Sequence, residues 1–158
     1  MNKVNFKTVA IEGVDIFYRE AGDESKPSLL LLHGFPSSSH MYRHLINELS
    51  AEYHVVAPDY PGFGQSSSPS PSMYDYTFDN LASTMSRFID EIKLTRCVLY
   101  VHDYGGPIGF RIAAQRPELI SALIVQNANA YIEGIGEALQ PLVNYIESPN
   151  EQTEQEAR

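Results

Sequence analysis

The residues with the most chemical promise lie in Val101-His102-Asp103-Tyr104-Gly105-Gly106. The stretch leading in, Arg96 to Val101, is β-branched, aromatic and aliphatic, as a short buried strand requires. From Ile108 to Ala114 the apolar spacing turns helical. Asp103 therefore falls at a sharp strand-to-helix corner. Gly105 and Gly106 have no Cβ, so the new helix can fold back close against the strand. A nucleophile elbow has this layout, here with an acid where the commoner form carries serine. The plainer reading is that Asp103 caps the helix that follows, since Asp is a favoured N-cap. The paired glycines, together with the loop His33-Gly34-Phe35-Pro36, favour the nucleophile.

The other chemistry-bearing residues read as structural. His33 anchors its loop by hydrogen bonds. His102 neighbours Asp103 in sequence, but successive strand side chains point to opposite faces, which makes it a poor base for that carboxylate. His40 and His44 have the i, i+4 spacing of a metal pair without the Glu-x-x-His pattern that would join them, so they read as a surface pair. Gly105, Gly106 and Gly109 lack the G-x-G-x-x-G spacing of a dinucleotide loop. Tyr131 and Tyr145 are candidates for a lid that polarises a substrate oxygen, with packing as the simpler role. Nothing in the sequence calls for a metal or a cofactor.

These residues need elements to hold them. Thr8–Ile11 and Val14–Ala21 read as two strands joined at Glu12-Gly13. Ser28-Leu29-Leu30-Leu31-Leu32 is an unalternating apolar run, which fits a strand covered on both faces of a parallel sheet. Tyr42, Leu45, Ile46 and Leu49 mark one face of a short helix. His54–Pro58 is the next buried strand, closed by Asp59-Tyr60-Pro61-Gly62-Phe63-Gly64. Ser66–Ser72 is a surface excursion. Phe78, Leu81, Ala82, Met85, Phe88, Ile89 and Ile92 keep a helical period behind Thr77, a fitting N-cap. Pro117 stops the helix after the elbow. Ile120–Val125 reads as another buried strand. From Tyr131 on, glycines and prolines interrupt weak helical patches, and Glu151–Arg158 is polar enough to be frayed. The alternation predicts an α/β fold with a mostly parallel sheet, helices on both faces and right-handed crossovers.

Composition narrows the partners. The chain has 158 residues, a net charge of -9 and a single cysteine, Cys97. The acidic balance argues against nucleic acid or an anionic membrane as partner. One cysteine in a buried strand offers no disulfide framework and suggests a reducing compartment. The N-terminus is polar and lacks an apolar signal core, and no apolar run approaches bilayer length. The expectation is a soluble, cytoplasmic protein.

His33-Gly34-Phe35-Pro36, Asp59-Tyr60-Pro61-Gly62-Phe63-Gly64-Gln65-Ser66 and Val101-His102-Asp103-Tyr104-Gly105-Gly106 each follow a predicted strand. In that order and context they resemble the α/β-hydrolase fold family. More narrowly they look like its aspartate-nucleophile branch, the epoxide hydrolases and haloalkane dehalogenases. The resemblance covers Val4 to about Asn129. It implies Asp103 as nucleophile and the backbone N–H groups of Phe35 and Tyr104 as oxyanion hole, with His33, Gly34, Pro36, Gly105 and Gly106 as the supporting motif. A carboxylate would attack a carbon bearing an epoxide oxygen or a halide and form an ester, which water then cleaves.

Departures from the family pattern sharpen this. Dehalogenases usually hold the halide with an Asn in the His-Gly-x-Pro loop and a Trp after the nucleophile. Those places are Phe35 and Tyr104, and the chain has no tryptophan. Phe35 fits epoxide hydrolases better. The family also uses a His after its final strand, paired with an acid, to activate water, and no histidine follows His102. The sequence therefore reads as the N-terminal portion of such a hydrolase, with 1–129 as part of the core and 130–158 as the start of a lid and a polar tail. On that reading Ile120–Val125 becomes an open apolar edge inviting self-association. The alternatives are an inactive remnant that binds a ligand or partner, and a dehalogenase.

Overall fold

A computed structural model describes residues 3–157. It divides into two compact units, Met1–Ala128 and Asn129–Arg158. The first holds one six-stranded sheet: β1 (Asn5–Ile11), β2 (Val14–Ala21), β3 (Ser28–Leu32), β4 (His54–Pro58), β5 (Cys97–His102) and β6 (Ile120–Gln126). The spatial order is β1-β2-β4-β3-β5-β6, with β1, β2 and β4 paired antiparallel and β4, β3, β5 and β6 parallel. The turn between β1 and β2 has positive φ at both Glu12 (49°) and Gly13 (86°). A two-residue type I′ hairpin needs that backbone, and its twist matches the flanking strands. The hairpin register carries β1 back to Asn5, paired with Glu20, three residues before the stretch that β-propensity alone marks.

The unalternating strands are explained by cover on both sides. Leu30 and Leu32 join Val56, Leu99 and Val101 under α2 (Phe78–Glu91) and α3 (Gly105–Gln115), which contribute Leu81, Met85, Phe88, Ile108 and Ile112. Leu29 and Leu31, pointing the other way, join Val55 and Ala57 under Tyr42 and Ile46, from a 3-10 turn and from α1 (Arg43–Leu49). With a period of two along each strand, a strand between two helical layers must be apolar at every position. Thr77 caps α2, its hydroxyl accepting from the Asn80 N–H at 3.2 Å.

Two expectations are corrected. Ile120–Gln126 is the last strand in the sheet, the open edge that the resemblance implies, but it is not buried: Leu123, Ile124 and Val125 are 45 %, 46 % and 50 % exposed. Its apolar character gives β-propensity and pairing with β5, while among the described residues only Ile120 of this strand packs against the core. The polar tail is not frayed either: Glu151–Ala157 forms a helix, α5, after α4 (Gln140–Glu147). Asn150 starts α5, its Oδ1 accepting from the N–H groups of Gln152 at 3.0 Å and Thr153 at 3.1 Å. Glu151 and Glu154 in the first turn suit the positive end of the helix dipole. Local capping supplies what the missing apolar face does not. No helix among the described residues is long and apolar enough to cross a membrane.

Candidate active site at the Asp103 corner

Parallel pairing of β3 and β5, with Leu32 opposite Val101, brings the ends of both strands to one edge of the sheet. The loop His33–Pro36 leaves one strand there and Asp103 leaves the other. The chain passes from β3 to β4 on one side, then crosses to β5 on the other, so the crevice above β3 and β5 is a topological switch point. Open α/β sheets bind ligands at such places.

Asp103 adopts φ 51°, a left-handed backbone that few non-glycine residues take. The corner is too sharp for a right-handed residue, because Gly106 already donates to the Asp103 carbonyl at 2.8 Å to begin the next turn. The side chain does not cap α3 in the ordinary way, where the oxygen reaches the second or third helical N–H. Instead Asp103 Oδ1 accepts from the Phe35 N–H and the Tyr104 N–H, each at 2.7 Å. Both donors are main chain, fixed by the strands they follow. The Asp103 N–H donates to the Asn127 carbonyl at 3.2 Å, tying the corner to the residue after β6.

The glycines are there for clearance. A Cβ on Gly34 would lie 2.4 Å from Asp103 Cβ and 2.7 Å from Oδ1. One on Gly105 would lie 2.3 Å from the Leu32 carbonyl oxygen, so α3 approaches β3 as closely as backbone allows. Gly106 is buried in the first turn of the same helix. The Phe35–Pro36 bond is cis.

His33 is fully buried and uses both ring nitrogens: Nδ1 donates to the Gly34 carbonyl at 3.0 Å and Nε2 accepts from the Tyr60 N–H at 3.4 Å. Burial pulls its pKa below the ordinary value; the Gly34 carbonyl and the carboxylates of Asp59 and Asp103 oppose this without prevailing. A neutral ring with one donor and one acceptor suits these partners. His102 Nδ1 engages the Gln126 carbonyl at 3.1 Å, on β6. His54 pairs with Glu20 at the opposite end of the sheet, where β4 begins. His40 and His44 sit on either side of the join between the 3-10 turn and α1. Among the described residues no histidine is hydrogen-bonded to Asp103, and none forms a metal-binding cluster. Tyr131 is exposed in the second unit.

Two features carry no role in the sequence reading. Asp59 is fully buried; its Oδ1 accepts from the Ser39 N–H at 2.7 Å and its Oδ2 from the Gln65 N–H at 2.8 Å, with the Arg19 guanidinium 4.0 Å away. It joins the loop after β3 to the loop after β4. Gly64 was the available signal, since a Cβ there would stand 2.0 Å from Asp59 Oδ2. The second feature is an aromatic wall beside Asp103. Phe35 stacks on Tyr104 with centroids 5.4 Å apart, Phe78 meets Tyr104 edge-on at 4.9 Å, and Phe63 closes the group. These rings come from four segments, so no sequence window shows them together. Burial and the Asp103 charge both push the Tyr104 phenol up, keeping it a neutral donor.

The α/β hydrolase fold family profile matches residues 27–149. An uncharacterized hydrolase of Saccharomyces cerevisiae is 42 % identical over 138 residues, covering 87 % of this chain and 47 % of that protein. Epoxide hydrolase 4 of Mus musculus is 41 % identical over 115 residues, 73 % of this chain and 32 % of its own length. The crystal structure of a haloalkane dehalogenase from Bradyrhizobium elkani superposes with a TM-score of 0.74 at 32 % identity, covering 78 % of this chain and 41 % of that one. The chain thus spans less than half the length of each of these relatives.

Proposed function

Since the chain belongs to the α/β hydrolase fold family, we propose that Asp103 is the nucleophile of a hydrolase acting on a small electrophilic molecule, most like an epoxide hydrolase. The observation that carries this is the pair of 2.7 Å hydrogen bonds from the Phe35 and Tyr104 N–H groups to one oxygen of a carboxylate at a strained strand-to-helix corner. Strain of this kind collects at functional sites, because only surrounding structure can sustain it.

With Oδ1 held, Oδ2 is the attacking atom. It bonds to an epoxide carbon, the carbon–oxygen bond of the ring breaks, and the released oxygen takes a proton from solvent water, leaving hydroxide. The product is an ester on Asp103. Water then adds to Cγ; the negative charge develops on Oδ1, which already faces both N–H donors, and the diol is expelled as the carboxylate reforms. Pre-placed donors of this sort are each worth about 10²–10³-fold in rate. The aromatic wall supplies a dry, apolar side to the substrate space. Phe35 has no side-chain donor for a leaving halide, which favours the epoxide over the haloalkane.

Water activation needs a general base, worth about 10²–10⁴-fold. Among the described residues no histidine is bonded to Asp103, so ester formation should outpace its cleavage by this chain. The test is intact-mass spectrometry after exposure to a reactive epoxide such as styrene oxide. One adduct per chain is expected, mapped to Asp103 and absent from Asp103→Asn. Multiple turnover without an adduct, or an adduct unchanged in the variant, refutes the assignment.

A further inference from the structure

A sizeable cleft lies away from Asp103. It holds about 640 Å³ and lies between β1 and α1, lined by Val4, Phe6, Arg19, His40, Arg43 and Gln65, with Ile46 and Asn47 beside them. That volume falls within the roughly 300–1,000 Å³ of small-molecule sites. Phe6 is 65 % exposed there, a large ring stacked on Phe17.

Charge distinguishes the cleft from the rest of the molecule. The chain carries a net -9, yet no carboxylate is among the lining residues. Arg19 is fixed in position: its guanidinium sits 5.5 Å from the Phe6 ring centroid and 5.1 Å from that of Phe17, donates to Ser39 Oγ, and faces the buried Asp59 behind it. Asp59 offsets that charge. Arg43 has no ion pair among the described residues; it donates to the His40 carbonyl at 3.3 Å and keeps its other nitrogens for a ligand. A cation at one wall and an apolar ring at the other match one kind of molecule.

We infer that this cleft is a second binding site, for a monocarboxylate with an apolar chain, its carboxylate on Arg43 and its chain against Phe6 and Val4. Guanidinium binds carboxylate through two parallel hydrogen bonds, and the apolar body gains by leaving water. The inference is independent of the chemistry at Asp103.

Amide-resolved NMR titration of the 158-residue chain tests it, with decanoate below its micellar concentration and with decanol and decyltrimethylammonium as neutral and cationic counterparts. Decanoate should shift the amides of Phe6, Asn47 and Gln65, and bind more tightly than either counterpart. Arg43→Glu should weaken decanoate by roughly tenfold or more, as loss of a charged hydrogen bond implies. Arg43 is exposed at the start of α1, where an acid suits the helix dipole, so this variant keeps its fold. Phe6→Ser should weaken decanoate as well. Equal affinity for decanol, shifts confined to Leu123–Val125, or unchanged binding by Arg43→Glu overturns the proposal.

Discussion

Replacing Gly34 with alanine should damage the site through a single contact. The added Cβ would stand 2.4 Å from Asp103 Cβ, 2.7 Å from Oδ1 and 2.9 Å from Cγ. Carbon atoms pack at about 3.5–4.0 Å, so Asp103 must give way by about 1 Å. Overpacking of this degree costs about 1–3 kcal/mol. At this chain length each kcal/mol lowers Tm by about 2–4 °C, so the fall expected is about 2–12 °C. The chemical penalty is larger. A shift of that size carries Oδ2 off its line of attack, and adduct formation should slow by about 10²-fold through lost positioning. Circular dichroism gives the first number and time-resolved intact mass the second. The decisive control is Gly34→Ala with Asp103→Gly, which removes the opposing Cβ and places glycine at a backbone angle of φ 51° that suits it. If the clash is the cause, the double variant recovers stability relative to Gly34→Ala, a coupling of about 1–3 kcal/mol. Additive destabilisation, or a Gly34→Ala chain that labels at the parent rate, refutes the reasoning.

Asp59→Ala should destabilise by about 3–5 kcal/mol, because Arg19 is left as an unpaired buried charge; Arg19→Met in the same chain should restore part of the loss, and calorimetry showing no restoration counts against the pairing. His33 holds a proton less readily folded than unfolded, so the unfolded chain is the one favoured by protons between its lowered folded pKa and its ordinary 6.5. Stability should therefore fall as pH drops through that window, and His33→Gln should flatten the fall; an identical denaturation profile between pH 5 and 7 refutes this. The exposed edge of β6 should make the polypeptide self-associate, and Ile124→Lys should reduce it. A parent chain that sediments as a monomer at all concentrations removes that expectation.

The parallel strands were legible because burial on both faces leaves an uninterrupted aliphatic run, as in Leu29–Leu32, and the glycines at 105 and 106 announced a tight corner. The open edge at Ile120–Val125 followed from the family resemblance and not from composition, which called for a buried strand. Composition reports that a strand wants cover and is silent on whether cover is present. The helix at Glu151 was missed because its stability is local: Asn150 and the first-turn acids cap it without an apolar face. At the site, Asp103 could be named from its neighbours in sequence, as could the loop that meets it. The aromatic wall and the Asp59 clasp could not. Phe35, Phe63, Phe78 and Tyr104 converge only once the register of the sheet is set, and Asp59 touches Ser39 and Gln65 across loops that no periodicity links.

Cys97 gives the molecule an intrinsic clock. It is the one thiol in the chain, set at the first residue of the strand that leads to Asp103, and only 1 % exposed. Burial pushes its pKa up to about 11, against the opposing pull of Arg116, so in the closed sheet it is both hidden and protonated. Only the thiolate reacts with a disulfide reagent. Opening of the sheet removes both barriers at once. The labelling rate under native conditions then measures how often the strand beneath Asp103 comes apart, divided from its ordinary chemistry by the open fraction alone. The Asp103 carboxylate, held after a strand next to the sheet's edge strand, thus comes with its own gauge of how firmly that strand is seated.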